Sequence, residues 1–95
     1  MSGPDPTLAD FAPRIGKAFE VPVRGHRLSL VLDAAQELPR SAREGGAFRL
    51  EFVGPSDPVL AQGIFPFLID ADRFEIFVVP IARDPRGTRY EAIFY

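Results

Sequence analysis

Apolar and polar residues alternate along much of the chain, a period of two that is typical of β-strands with one buried face. The alternation starts at Phe19 and returns around Leu30 and around Leu50. Three later segments are apolar at nearly every position or on both parities, namely 64–69, 74–82 and 89–95. The pattern predicts six strands.

A short helix is predicted before the first strand. Thr7 is suited to begin it as the N-cap residue, and Asp10 occupies the capping-box position three residues later. Pro13 limits the helix to about two turns, because proline past the first turn removes a backbone donor. Such a short helix is not stable alone, so its apolar face must cover another part of the protein. That face consists of Leu8, Phe11 and Ile15.

The segments between the predicted strands have the composition of turns and loops. Residues 36–47 are polar and aperiodic, and 54–58 is a proline-rich turn cluster. Residues 70–72 and 84–87 have the chemistry of hairpin turns. Successive strands without intervening helices form an antiparallel sheet. The sequence therefore predicts an all-β fold, a small antiparallel barrel or sandwich of about six strands with one short N-terminal helix.

Parity also predicts which side chains fill the interior. The predicted core comprises Phe19, Val21, Leu28, Leu30, Leu32, Phe48, Leu50, Phe52, Phe74, Ile76, Val78, Tyr90, Ala92 and Phe94. Three prolines interrupt strand patterns: Pro22, Pro66 and Pro80. Because proline has no N–H to donate, each is expected at a sheet edge, at a bulge or where its nitrogen points outward.

Length and composition narrow the class of protein. The 95 residues suit one domain, predicted over 7–95 after a flexible tail at 1–6. Without cysteine there is no disulfide framework and no thiol chemistry, and a single histidine cannot build a multi-histidine metal site. We therefore expect no cofactor and no enzymatic activity.

Charge and hydropathy also bear on partners and location. A net charge of −2 argues against nucleic-acid binding, which usually requires a basic face. No apolar run approaches the roughly 18 residues of a membrane span, and the first residues do not have the pattern of a signal peptide. The expected location is the cytoplasm, with export by another route as the alternative.

Several sequence blocks resemble a small bacterial family of domains of unknown function. The blocks are L-x-x-F-x-P-x-x-G at 8–16, F-x-L-x-F-x-G-P at 48–55, L-x-Q-G-x-F at 60–65, F-x-V-P-I at 77–81 and Y-E-A-x-F at 90–94. The chain differs from the family at Tyr95, which is aromatic where a polar residue is expected. The resemblance implies no activity, but it implies an accessory or assembly role in a phage-tail-like or other bacterial particle.

The candidate catalytic groups are few. His26, the only imidazole, lies in an Arg-Gly-His-Arg turn, where a solvated histidine is expected rather than a general base. Asp57, Asp70 and Asp72 lie in turns. Paired carboxylates can serve glycoside hydrolysis or bind a cation, but aspartate is also the ordinary choice for a turn.

Two further groups of polar residues allow a structural or a binding role. Gln62 and Gly63 precede an apolar strand, and we expect them to form a structural clamp rather than a ligand contact. Arginines collect at the first and last hairpins, where a phosphate or acidic partner would fit but ordinary solvated turns are expected. They are Arg24, Arg27, Arg83, Arg86 and Arg89.

The second parity of the last two strands is a candidate interaction surface. It consists of Phe77, Val79, Ile81, Ile93 and Tyr95. A sheet face left in water is normally polar, so this face needs a cover, either the N-terminal helix or another subunit. We expect self-association or docking to another protein through the C-terminal hairpin. A small ligand-binding barrel is the alternative function, and an unrecognised enzyme is the third.

Overall fold

The computed structural model describes residues 6–39 and 47–95 as one closed antiparallel barrel. The predicted tail lies outside the described residues except for Pro6, as do residues 40–46 of the predicted loop. The elements are α1 (Leu8–Phe11), a 3-10 turn (Ala12–Arg14), β1 (Ala18–Val23), β2 (His26–Glu37), β3 (Phe48–Gly54), β4 (Gly63–Ile69), β5 (Asp72–Asp84) and β6 (Gly87–Phe94). Of the two predicted architectures, barrel and sandwich, the fold is thus the barrel.

The order of the strands around the barrel is β1-β2-β3-β6-β5-β4, with β4 closing onto β1 at Glu20 and Leu68. Tight turns join β1 to β2, β4 to β5 and β5 to β6. Strands β3 and β4 lie on opposite sides of the ring, so residues 55–62 must cross one end of the barrel. This crossing loop covers the mouth of the barrel.

Two bulges bend the longest strands. The register of β2 shifts at Asp33, and the register of β5 shifts at Ile81. Each extra residue increases local twist, which helps a small sheet to close. Strand β2 also runs further than predicted, because Gln36 and Glu37 pair with β3 instead of belonging to the loop.

The predicted core is confirmed. Eleven of its fourteen residues are buried, and the other three, Leu28, Phe74 and Phe94, are partly buried and pack against the same cluster. Four further buried members were not in the predicted core, Phe11, Leu60, Phe67 and Ile69. Segment 64–69 is apolar at every position, so its inward parity could not be read from alternation.

The N-terminal helix fills the barrel end opposite the crossing loop. Its first turn is stabilised as predicted, since the Thr7 N–H donates to Asp10 Oδ2 at 2.8 Å. Phe11 is fully buried, and its ring lies 4.8 Å from that of Phe74. Ile15 is a correction to the predicted apolar face. The chain turns to 3-10 geometry at Pro13 and is extended at Ile15, which leaves that side chain 50% exposed.

One of the three prolines adjoins a bulge, and the other two belong to the strands of the closing seam. Pro80 directly precedes the β5 bulge. Pro22 and Pro66 belong to β1 and β4, the two strands that meet at the closing seam of the barrel. A missing N–H beside a bulge interrupts little regular pairing, whereas Pro22 and Pro66 stand opposite Arg27 and Glu75 within continuous ladders.

Candidate functional site

Four large apolar side chains form a patch on the outside of the barrel. Ile64 on β4, Phe77 on β5, Ile93 on β6 and the adjacent Tyr95 are 67%, 50%, 37% and 82% exposed, respectively. Ile64 and Phe77 are direct cross-strand partners. Together with Pro6 and Glu75, the four side chains surround a shallow depression of about 410 Å³. We call Ile64, Phe77, Ile93 and Tyr95 the outer patch.

The outer patch overlaps the surface predicted from parity but does not coincide with it. Phe77, Ile93 and Tyr95 belong to both. Ile81 is exposed but sits at the β5 bulge, and Val79 is half-buried. Ile64 was missed because both parities of its strand are apolar.

The N-terminal helix is not the cover of this surface. Its buried residue, Phe11, packs on the inward-facing rings of Phe19, Phe48, Phe74 and Phe94. These rings belong to the interior, whereas the outer patch faces the other side of the same sheet. Within the described residues, the outer patch therefore remains exposed.

A band of paired charges lies beside the outer patch on the outer face of β2, β3 and β6. Arg49 donates to Glu91 at 2.5 Å and to Glu51 at 2.8 Å. Arg89 donates to Glu51, and also to Asp33 on β2 at 2.8 Å. Since each guanidinium already has carboxylate partners, the band is a surface network rather than an anion site.

The same contacts change the ionisation of the band. Hydrogen bonds from Arg89, and then from Arg86, hold the pKa of the Asp33 carboxyl below its usual range. Asp33 is the residue that the β2 bulge inserts, so the bulge places its carboxylate between these two arginines. Asp84 also accepts from Arg89, which lowers the pKa of Asp84.

The second concave feature is a cavity of about 370 Å³ at the barrel mouth, between the β1–β2 hairpin and the crossing loop. Val23 and Leu28 form its hairpin wall, and Val59 and Leu60 form its loop wall. Phe65 closes it from β4. The loop is held in place because the Leu60 N–H donates to the buried Tyr90 hydroxyl at 2.8 Å. We call this space the mouth cavity.

The predicted catalytic candidates are not brought together. His26 begins β2, is exposed and lines the mouth cavity together with Arg24. Asp70 and Asp72 meet Arg14 instead of a metal-ligand set, with Nη2 to Oδ2 distances of 3.5 and 2.5 Å. Within residues 6–39 and 47–95, no three histidine or acidic side chains are grouped as metal ligands would be.

The crossing loop is not held at Gln62 and Gly63, where the clamp was predicted. It is held at Leu60, two residues earlier. Gln62 is exposed and has no side-chain hydrogen bond to another described residue. Gly63 has no positive φ, and an added Cβ would meet only the Phe65 ring, at 3.6 Å, so neither backbone conformation nor space requires glycine there. The loop is instead fastened through the backbone of Leu60, whose partner Tyr90 is 30 residues away in the chain.

The last arginine cluster is largely paired. Arg86 and Arg89 both donate to Asp33. Arg83 donates to the carbonyl oxygen of Ser56 at 3.2 Å, which adds a second tie to the crossing loop. At the first hairpin, Arg24 and Arg27 make no ion pair with another described residue.

These features define a small closed β-barrel domain with both ends covered and an apolar patch on its outer wall. The chain belongs to the family described as Domain of unknown function (DUF6916), which matches residues 6–94. This agrees with the resemblance to a small family of unknown function. No curated protein and no solved structure matches the chain. In the described part, no helix has the length and hydropathy needed to cross a membrane.

Proposed function

We propose that this domain is a non-catalytic assembly module that self-associates through the outer patch. The observation that carries the proposal is the exposure of Ile64, Phe77, Ile93 and Tyr95 on a barrel whose interior is filled. Contiguous apolar surface of this kind typically marks an interaction site. Burying a large apolar side chain contributes roughly 1.5–3 kcal/mol, so four of them give a substantial drive to associate.

Two features of the barrel bear on the partner of this surface, and a second copy of the chain suits both. A closed barrel has no free strand edge, so its partner must bind through side chains rather than by extending the sheet. Beside the outer patch, Arg73 donates to Glu75, which places both signs of charge at the rim. In a two-fold arrangement each arginine can face the other copy's glutamate. Such pairs would serve as building blocks of a phage-tail-like or other bacterial particle, the role that the family resemblance implies.

Sedimentation velocity over a range of concentrations tests self-association. We expect the wild-type chain to form a dimer or larger oligomer, and Phe77→Arg and Ile93→Glu to shift it to monomer while circular dichroism stays unchanged. Ile15→Arg is the matched control, because Ile15 is as exposed as Phe77 but lies outside the outer patch. A wild type that stays monomeric at high concentration would overturn the proposal, as would dissociation by Ile15→Arg to the same extent.

The non-catalytic part of the proposal rests on the surroundings of the candidate groups. His26 is exposed and has no hydrogen-bonded partner among the described residues, whereas a general base needs an oriented neighbour. Any activity found for the purified protein should therefore survive His26→Ala. An activity abolished by that substitution, with the fold intact, would contradict the proposal.

Ligand binding is the second candidate function, and the mouth cavity is the observation that favours it. A ligand inside the barrel would need space that Phe19, Phe52 and Phe67 already fill. The mouth cavity lies outside that packed interior, and its volume is within the range of small-molecule sites.

A further inference from the structure

We propose that the mouth cavity binds a small carboxylate with an apolar tail, such as a medium-chain fatty acid. The proposal does not depend on self-association, because none of the residues lining this cavity belongs to the outer patch. It rests on three features of the cavity: an apolar wall, a cation at the rim that is free to bind, and a loop held in its position.

The wall of the mouth cavity is almost entirely aliphatic and aromatic. Val23 and Leu28 face Val59 and Leu60 across the space, and Phe65 lies at its side. An apolar cavity of about 370 Å³ is large enough for a chain of several methylene groups. Each methylene transferred from water contributes about 0.8 kcal/mol, so this wall selects an apolar tail.

The charge at the rim selects the head group. Arg24 lies in the β1–β2 turn, where it and Gly25 both have positive φ, 47° and 80°, as in a type I′ hairpin. Arg24 and His26 both line the cavity, and among the described residues that line it there is no aspartate or glutamate. Arg49 and Arg89, in contrast, already donate to carboxylates. Arg24 therefore offers its guanidinium to an anion from outside the chain.

The crossing loop is fixed before any ligand arrives. Leu60 is tied through its N–H to Tyr90, and the carbonyl of Ser56 accepts from Arg83. Tyr90 is fully buried, so this anchor does not move with the surface. A preformed wall reduces the ordering cost of binding.

Calorimetric titration of the full chain with octanoate, octanol and octyltrimethylammonium tests the selection of the head group. The three probes share one tail and differ in charge. We expect octanoate to bind most tightly, and Arg24→Glu to weaken it by about tenfold or more, the effect of losing a charge-assisted hydrogen bond. Arg27→Glu is the matched control. It makes the same change of charge two residues beyond Gly25, but Arg27 does not line the cavity.

A second pair of variants tests the cavity itself. Ala61→Trp should fill the space and abolish octanoate binding, whereas Ala71→Trp, on the exposed β4–β5 turn, should leave it unchanged. Amide and methyl chemical shifts should move at Val23, Val59 and Phe65. Equal binding of all three probes, equal loss in Arg24→Glu and Arg27→Glu, shifts confined to the outer patch, or no binding at all would each overturn the proposal.

Discussion

The phenolic oxygen of Tyr90 accepts a hydrogen bond from the backbone N–H of Leu60 at 2.8 Å, inside the mouth of the barrel. Tyr90 belongs to β6 and is fully buried, and Leu60 is the buried residue of the loop that crosses from β3 to β4. The bond gives a partner to a buried backbone donor and a buried hydroxyl together. It also joins the crossing loop, which forms one wall of the mouth cavity, to strand β6.

Removing this hydroxyl should destabilise the fold and loosen the crossing loop. In Tyr90→Phe the Leu60 N–H loses its partner while still buried, which we expect to cost about 1–3 kcal/mol. Urea denaturation measures the loss, and hydrogen exchange at the Leu60 amide should become faster. Tyr95→Phe is the control, because Tyr95 is exposed and its variant should match the wild type in both measurements. An unchanged exchange rate at Leu60 would contradict this role for Tyr90.

Gly87 is required where the last hairpin passes under the end of β3. Its φ is +138°, and a Cβ added there would lie 2.0 Å from the carbonyl oxygen of Gly54. Gly87→Ala should therefore combine backbone strain with overpacking, and the latter alone typically costs about 1–3 kcal/mol. Gly25→Ala is the control: its φ is +80°, but the added methyl group meets nothing within 4 Å. In thermal unfolding, Gly87→Ala should have a clearly lower melting temperature than Gly25→Ala. Equal melting temperatures would show that the close approach to Gly54 is relieved easily.

Much of this architecture was readable from the sequence because alternation records which side of a strand is buried. The predicted core is confirmed wherever one parity is polar, as in β1 and β3. Alternation fails at the Asp33 bulge, where one inserted residue changes the parity so that Ala35, rather than Ala34, packs on the core. Nothing in the run of small residues after Asp33 marks this change. The bulge adds twist that helps the sheet to close, and closure is a property of the whole sheet.

The candidate sites were predictable to different extents for the same reason. Three members of the outer patch follow from the apolar second parity of β5 and β6. The mouth cavity could not be predicted, because it requires knowing that β3 and β4 lie across the ring from each other. The pairing of Arg14 with Asp72, 58 residues apart, likewise depends on which strand turn meets the end of the helix.

Truncating the core should remove a large share of the stability. Leu30 and Phe52 are fully buried in the central cluster, and replacing either with alanine should cost about 2–5 kcal/mol. Chemical denaturation measures the free energy of unfolding of each variant. Ile64→Ala serves as the comparison, since Ile64 is mostly exposed in the monomer and should lose far less. Losses below about 0.5 kcal/mol at both core positions would be incompatible with the inward orientation of these strands.

The free energy of unfolding should also decrease in acid, because carboxylates of the charged band become protonated. Asp33 should account for part of this decrease. Its pKa is lowered in the folded protein by hydrogen bonds from Arg89 and Arg86, so its contribution is present above the unfolded aspartate pKa of about 3.9. That contribution is lost as the pH falls through the lower folded pKa. Asp33→Asn should therefore be less stable than wild type near neutral pH, and the gap should close as the pH drops below about 3.9. Urea midpoints measured across the acidic range provide the test, with Asp57→Asn as the control at an exposed turn carboxylate. A gap for Asp33→Asn that stays constant with pH would show that its effect is one of packing and not of charge.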